Sequence, residues 1–206
     1  MAVEGVKAAV GLMSGTSMDG IDAAVVNTDG ERVFGFGPAQ TLVYDDGFRD
    51  RLRAVLGVDP DDSDESQAVA EELTHLHAEA VKRLLGDNDL KADAIDAIGF
   101  HGHTVIHKPD RGITRQIGDG ALLARETGIP VVSDFRAADV AGGGQGAPLA
   151  PLYHAALTRN LDKPLAVLNL GGVANVTWIS PDGGLVAFDT GPGNALIDDW
   201  VRENGE

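Results

Sequence analysis

The chain has 206 residues, 43% of them hydrophobic, and its 32 acidic and 16 basic residues give a formal net charge of −16 at pH 7. No apolar run reaches the roughly 18 residues that a membrane-spanning helix needs, and so much negative charge disfavours binding to nucleic acid or an anionic membrane. The absence of cysteine excludes disulfides and thiol chemistry and fits the cytosol, and no signal peptide is predicted. We therefore expect a soluble, cytoplasmic protein of one or two domains.

The first pattern along the chain is a β-hairpin. Apolar runs at residues 6–10 and 21–26 flank a turn rich in glycine and hydroxyl side chains, at residues 11–22. Gly15 and Gly20 are expected to give the turn backbone conformations that are closed to other residues.

Polar side chains make this turn a candidate phosphate site. The hydroxyls of Ser14, Thr16 and Ser17 are expected to point inward together and cradle phosphate oxygens. Asp19 and Asp22 lie beside that cradle, where carboxylates are favourable only if a divalent cation lies between them and the phosphates. A surface hairpin with a polar turn is the open alternative.

The next segments predict a third strand and two helices. A strand over 33–44 completes an antiparallel meander. Helices are predicted over 47–56 and 65–85, the second from apolar residues three and four apart. The expected ends of the second helix are Ser63 or Asp64 as the N-cap and Gly86 as the C-terminal stop.

Three histidines follow a short buried strand predicted at 95–100. Ligands bind at the C-terminal ends of strands in α/β sheets, which makes His101 a candidate binding residue. If the segment stays extended, His101, His103 and His107 share one face. Hydrogen bonding is the expected role, because neither a cysteine nor a carboxylate accompanies them as a metal ligand would.

A second strand, predicted at 129–133 after a helix at 119–126, leads into a glycine-rich loop. Arg136 could clamp a carboxylate or phosphate through two hydrogen bonds, and pairing with Asp139 is the open alternative. Gln145 is the only long side chain of the loop at 141–148. A loop backbone with so few side chains is typical of close approach to a ligand. Arg136 and Gln145 are therefore candidate substrate-binding residues.

The opening meander is repeated from Pro164 onward, after a helix predicted at 149–159. Three further strands are predicted, at 165–170, 173–179 and 185–188. Such duplication predicts two lobes with a cleft, to which each copy offers its first turn. The predicted domains are residues 1–161, the first lobe, and residues 162–206, the start of the second.

Asp189 ends the last predicted strand. A glycine-rich turn and a helix predicted from Ala195 to about residue 202 follow it, so the carboxylate is well placed to meet a ligand. Capping of that helix by Asp189 is the alternative.

The string from Met13 to Asp22 resembles the first phosphate-binding motif of the anhydro-N-acetylmuramic acid kinases, a branch of the actin, Hsp70 and sugar-kinase superfamily. Similar strings at 101–109, 116–120, 133–151 and 169–194 extend the resemblance over nearly the whole chain. It implies an α/β, actin-like ATPase (ribonuclease H-like) fold with a complete first lobe. Family members continue well beyond residue 206, so we expect a truncated second lobe.

The resemblance implies an ATP-dependent kinase that hydrolyses the 1,6-anhydro ring of anhydro-N-acetylmuramic acid and forms N-acetylmuramate 6-phosphate in peptidoglycan recycling. Asp189 matches the catalytic base, and the segment of His101 reaches toward the sugar, although many members carry Gln where His103 stands. Arg136 suits the lactyl carboxylate of the sugar. The implied nucleotide-binding residues are Gly15, Thr16, Ser17, Met18, Asp19, Gly20, Ile21, Asp22, Gly171, Gly172 and Asn175.

The expected cofactors are ATP and Mg²⁺, with Asp19 or Asp22 reaching the ion directly or through water, and no resident metal site is predicted. The expected partners are the small-molecule amino sugar and a second copy of the chain in a homodimer, without nucleic acid or membrane. The alternative function is a non-catalytic, truncated actin-like module that binds a nucleotide, a sugar or a partner chain. Other nucleotide folds are disfavoured, because neither Gly-x4-Gly-Lys-Ser/Thr nor Gly-x-Gly-x-x-Gly occurs.

Overall fold

The computed structural model describes residues 5–60 and 63–205 and divides into two compact units, of which the first ends at Gly146 and the second begins at Ala147. The chain is α/β, as predicted. The strands of the first unit are β1 Lys7–Met13, β2 Gly20–Thr28, β3 Val33–Val43, β4 Ala97–Phe100, β5 His103–Lys108, β6 Ile113–Ile117 and β7 Val131–Ser133. Its helices are α1 Asp46–Ala54, α2 Asp64–Gly86, α3 Gly120–Thr127 and α4 Ala137–Ala141, with 3-10 turns at Ala92–Ala94 and Pro109–Arg111.

The main sheet of the first unit has the strand order β3-β2-β1-β4-β7. Its first three strands form the predicted antiparallel meander, and β4 and β7 then extend the sheet with parallel pairing. The parallel register aligns Leu12 with Phe100 and Phe100 with Ser133. Strands β1, β4 and β7 therefore end at the same edge, where their following loops emerge together.

Helix α2 supplies much of the core of this unit. Ser63 is its N-cap, as predicted, and accepts the N–H of Ser66. Gly86 is the last helical residue rather than the first one beyond the helix, a shift of one position. Apolar side chains of α2 are buried with strand residues in one cluster, which includes Val69, Leu73, Val81, Leu84, Val10, Ile98 and Phe100.

The strands β5 and β6 form a separate antiparallel hairpin that the sequence pattern did not indicate. A 3-10 turn and Gly112, with φ +68°, connect them. The hairpin begins at His103, three residues after the end of β4, so it directly follows the edge of the main sheet at which β1, β4 and β7 end.

The second unit contains the predicted repeat of the meander. Its strands are β8 Leu165–Leu170, β9 Val173–Ile179 and β10 Leu185–Pro192, and its helices are α5 Ala150–Leu157 and α6 Ala195–Asn204. The strands pair antiparallel in the order β10-β9-β8 as a sheet of their own. The helix α5 contacts β9 and β10, and His154 Nδ1 lies 2.9 Å from the hydroxyl of Thr177. Contacts thus group α5 with the second sheet, while the domain boundary after residue 161 stays a prediction.

None of the helices in residues 5–60 and 63–205 combines the length and the apolar character needed to cross a membrane.

Candidate active site

The loops that follow β1, β4 and β7 carry most of the candidate residues of the first unit. They begin with Ser14, His101 and Asp134, which directly follow the aligned strand ends at one edge of the sheet. The strand register thus brings together segments that are 33 to 120 residues apart in the chain. Convergence of this kind at the C-terminal ends of strands is typical of a ligand site.

The glycines of the β1–β2 turn do not act as the sequence predicted. Neither Gly15 nor Gly20 has a left-handed backbone, whereas Met18 does, with φ +53°. Gly20 is required for a different reason, because a Cβ there would collide with the carbonyl oxygen of Leu42 on β3. The turn is closed by the N–H of Met18, which donates to the carbonyl of Gly15 over 3.0 Å.

The hydroxyl side chains of this turn do not all point the same way. Ser14 is buried, and its Oγ lies 2.7 Å from Tyr44 Oη and 2.9 Å from His103 Nδ1. Thr16 and Ser17 are exposed. The prediction that the three hydroxyls form one cradle is therefore wrong for Ser14, which faces the protein interior.

The two carboxylates of the hairpin are exposed and held by neighbouring hydroxyls. Ser17 Oγ donates to Asp19 Oδ1 over 2.8 Å, and Thr41 Oγ1 donates to Asp22 Oδ1 over 2.5 Å. Exposed carboxylates and hydroxyls on one turn are oxygen ligands of the kind that Mg²⁺ prefers, so the donor set fits that ion. Met18 and Ile21 have buried side chains, so only their backbone is available to a nucleotide.

The three histidines do not share a face. Gly102, with φ +69°, turns the chain between β4 and β5, and a register shift interrupts β5 after Thr104. His101 is half-buried, His103 is buried and His107 is exposed. The expectation of an extended segment is therefore wrong, because it assumed one continuous strand.

Arg136 and His101 contact each other. Arg136 Nε donates to His101 Nε2 over 2.9 Å, and its Nη1 donates to the carbonyl of Gly146 over 2.6 Å. Asp139 instead accepts the N–H of Gly146, so the alternative pairing of Asp139 with Arg136 is not formed. Burial lowers the pKa of both His101 and Arg136. Gln145 directly precedes Gly146 on the same loop and is exposed.

A pocket of about 310 Å³ lies beside His101 in the first unit. Two of its glycines admit no side chain: a Cβ at Gly102 would collide with the Ile117 carbonyl, and one at Gly118 would come within 2.5 Å of the Phe100 ring. The polar side chains of the wall are His101, Thr114, Arg115, Gln116, Ser133 and Asp134. These groups offer both donors and acceptors, as a sugar requires, and Gln145 is not among the lining residues.

The second unit presents a glycine turn of its own. The carbonyls of Gly171 and Gly172 accept the N–H groups of Asn194 and Gly193 over 2.7 and 2.9 Å. A Cβ at Gly193 would collide with the Gly171 carbonyl, so close backbone packing fixes this turn against the start of α6.

Asp189 belongs to a row of polar residues across the second sheet. The register pairs Asp189 with Asn175, and Asn175 with Asn169 on the other side. Directly paired residues point to the same face, so Asn169, Asn175 and Asp189 lie together. The helix α6 begins at Ala195 with Asn194 as its N-cap residue, so the alternative that Asp189 caps this helix is wrong.

Sequence reasoning gave no role to several contributors to the site, among them Tyr44 and Gln116. Tyr44 was seen only as the end of a strand, although an aromatic residue with a hydroxyl, placed just after a strand, is a common buried hydrogen bonder. Gln116 received no role, yet its Nε2 donates to Thr104 and Thr114 and its side chain lines the pocket.

Comparison with known proteins finds similarity to one family over almost the whole chain. The family model described as anhydro-N-acetylmuramic acid kinase matches residues 7–206. The enzyme of that name from Acidiphilium cryptum is 59% identical over 198 residues, covering 94% of this chain and 53% of the relative. That of Paramagnetospirillum magneticum is 58% identical over 193 residues, again covering 94% of this chain and 53% of the relative. The chain therefore spans about half the length of the curated relatives it matches.

Among solved structures, an exopolyphosphatase-like protein superposes with a TM-score of 0.42 at 13% identity, covering 97% of this chain and 59% of that one, which is too remote for any inference. The family match needs no such support, because it runs from the first strand through the last helix. The chain belongs to the anhydro-N-acetylmuramic acid kinase family.

Proposed function

We propose that this chain contains nucleotide-binding and sugar-binding residues of an ATP-dependent kinase. The reaction opens the 1,6-anhydro ring of anhydro-N-acetylmuramic acid and phosphorylates O6. Family membership over residues 7–206 is the observation that carries the proposal. It is supported by two glycine turns, one in each unit, and by a polar pocket in the first unit.

The phosphates of ATP are assigned to the β1–β2 turn and to the turn of the second unit. Thr16 and Ser17 offer exposed hydroxyls, and the backbone from Gly15 to Asp22 offers amides. Gly171, Gly172 and Asn175 supply the corresponding groups of the second turn. Mg²⁺ held by Asp19 or Asp22 would neutralise phosphate charge, the main requirement of phosphoryl transfer.

The sugar is assigned to the residues around the pocket. His101 borders the pocket, and Arg136, hydrogen-bonded to it, is the cation suited to the lactyl carboxylate. Gln145 stays a proposed contact on the adjoining loop. The pocket volume of about 310 Å³ lies at the lower end of the range for small-molecule sites, as expected for a monosaccharide.

Asp189 is the proposed general base. It takes a proton from the water whose oxygen bonds to the anomeric carbon, the bond from that carbon to O6 breaks, and O6 receives the γ-phosphoryl group of ATP. The products are N-acetylmuramate 6-phosphate and ADP. Asn175, paired with Asp189 in the register, is placed to orient its carboxylate.

The homodimer and the cytoplasmic location, the latter expected from the composition, are part of the same proposal.

The direct test incubates the chain with ATP, Mg²⁺ and 1,6-anhydro-N-acetylmuramic acid in ¹⁸O-labelled water. Mass spectrometry should find N-acetylmuramate 6-phosphate with one ¹⁸O atom at the anomeric position. Omission of the sugar is the control for ATP hydrolysis. Nucleotide binding without this product would support the non-catalytic module and contradict the kinase proposal.

A further inference from the structure

Tyr44 is hydrogen-bonded to both ends of the β1–β2 turn. Its hydroxyl lies 2.7 Å from Ser14 Oγ, at the start of the turn, and its backbone N–H donates to the Asp19 carbonyl over 3.0 Å, at the end. The side chain of Tyr44 is buried, and its ring packs on Phe48 with centroids 4.9 Å apart. One residue of the β3–α1 connection thus spans the whole turn.

Arg49 strengthens this attachment. Its Nε donates to the Met18 carbonyl over 2.9 Å, and its Nη2 donates to the Tyr44 carbonyl over 3.3 Å. Met18 is the residue of the turn with a left-handed backbone, φ +53°, which is unfavourable for a side chain of this kind. Contacts with residues 44 and 49 therefore hold the turn in addition to its own bond from the Met18 N–H to the Gly15 carbonyl.

Hydrogen bonds link Tyr44, Ser14 and His103 in a continuous chain. Tyr44 Oη donates to Ser14 Oγ. Ser14 Oγ also lies 2.9 Å from His103 Nδ1. All three side chains are at most 3% exposed, so water does not compete for these bonds.

The tautomer of His77 is defined by its surroundings in the core. Its Nδ1 lies 2.7 Å from the Leu73 carbonyl, which only accepts, so His77 carries its proton on Nδ1 and a lone pair on Nε2. The Nε2 atoms of His77 and His103 are both buried and find no hydrogen-bond partner among the described residues. His77 therefore serves as an internal reference for spectroscopy of the histidine rings.

We propose that Tyr44 is a positioning residue for the phosphate turn: through Ser14 and His103 it fixes the backbone of residues 14–19 in the shape that receives nucleotide phosphates. The nucleotide as the ligand of the turn rests on the proposed function. The ordering of the turn by Tyr44 does not depend on that function. Pre-formed amides bind an anion without first having to be ordered.

The test uses the 206-residue chain with Tyr44→Phe, which keeps the ring and the backbone N–H and removes only the hydroxyl. Tyr153→Phe is the matched control, since Tyr153 is the other tyrosine and lies in α5 of the second unit. His103→Gln keeps one acceptor and one donor, whereas His103→Leu removes both. Ser14→Ala interrupts the chain of bonds at its centre.

Three readouts are measured. Amide hydrogen exchange at Met18 and Tyr44 should accelerate about 2- to 10-fold in Tyr44→Phe and at least as much in Ser14→Ala and His103→Leu, the range for loss of a neutral hydrogen bond. Tyr153→Phe and His103→Gln should stay near wild type. Long-range ¹H–¹⁵N correlation should show a shift of the His103 Nδ1 signal in Ser14→Ala, while the signals of His77, protonated on Nδ1, stay near wild type. The dissociation constant for ATP with Mg²⁺ should rise in step with the exchange rates.

The outcomes separate the two proposals. Unchanged exchange at Met18 in Tyr44→Phe overturns the positioning role whether or not nucleotide binds. Faster exchange with unchanged ATP affinity leaves Tyr44 a structural residue and also overturns it. A wild-type chain that binds no ATP contradicts the proposed function, and because the proposal assigns the turn to nucleotide phosphates, it overturns the positioning role as well.

Discussion

Arg136 donates a hydrogen bond from Nε to Nε2 of His101 over 2.9 Å. His101 Nδ1 lies 2.9 Å from the Gly102 carbonyl, so the ring is neutral, carries its proton on Nδ1 and offers a lone pair to the guanidinium. Burial and, to a lesser extent, the charge of Arg136 lower the pKa of His101 and favour this neutral form.

Arg136→Lys keeps the charge but loses the planar group that bonds both His101 and the Gly146 carbonyl. The free energy of unfolding in urea should fall by about 1–3 kcal/mol. Arg53→Lys is the control, because Arg53 forms an exposed pair with Asp50 and should change stability by less than about 0.5 kcal/mol. Equal effects of the two substitutions would show that the two hydrogen bonds of the Arg136 guanidinium do not contribute to stability.

A comparison of Gly102→Ala with Gly112→Ala separates the cost of backbone strain from the cost of a steric collision. Both residues have nearly the same φ, +69° and +68°, but only at Gly102 would a Cβ meet another atom, the Ile117 carbonyl oxygen. Gly112→Ala should cost about 1–2 kcal/mol for the left-handed backbone, and Gly102→Ala a further 1–3 kcal/mol for overpacking. Chemical unfolding of both variants measures the difference, and similar losses would argue against the tight approach beside the pocket.

Stability should fall in mild acid because of His77 and His103. Burial lowers the pKa of each to about 4, while the unfolded chain protonates near 6.5. Between these values the unfolded state binds more protons, so the free energy of unfolding decreases as pH falls from about 6.5 to about 4, by up to about 1.4 kcal/mol per pH unit for each histidine. Urea unfolding at several pH values should give a smaller slope for His103→Gln than for wild type, and identical slopes would contradict the prediction.

Asp189→Asn, introduced into a complete enzyme of the family that carries this segment, tests the general base. The amide keeps the size of the side chain but cannot accept the proton, so kcat for phosphorylation of the anhydro-sugar should fall about 10²- to 10⁴-fold, with little change in ATP affinity. Since Asp189 caps no helix in the structure, the melting temperature should stay close to wild type. Retained turnover would assign the proton transfer to another carboxylate, with Asp22 the next candidate.

Much of the fold was predictable because its patterns are local. The spacing of apolar residues in α2, its cap at Ser63 and the two meanders each follow from neighbours within a few residues. The β5–β6 hairpin was missed because its strands are short and polar. It begins just after Gly102, and no neighbouring residue in the sequence indicates that the backbone turns there.

The site was predictable in its residue types and less so in their directions. Ser14 and Thr16 look alike in the motif, yet one faces the interior and the other solvent, and that difference depends on Tyr44 and His103, which are 30 and 89 residues away from Ser14. The reason for Gly20 likewise lies in β3, where the Leu42 carbonyl leaves no room for a Cβ. Such tertiary reasons cannot be read from composition or spacing.

The division of the chain after Gly146 also separates its natural fluorophores. Both tryptophans, Trp178 on β9 and Trp200 on α6, belong to the second unit, and the first unit contains only Tyr44 as a tyrosine. Trp178 and Trp200 are 42% and 65% exposed, so their emission is already partly that of solvated indole in the folded state. Tryptophan emission therefore reports on the second unit, and far-UV circular dichroism of the 23-residue helix α2 provides a separate signal for the first unit.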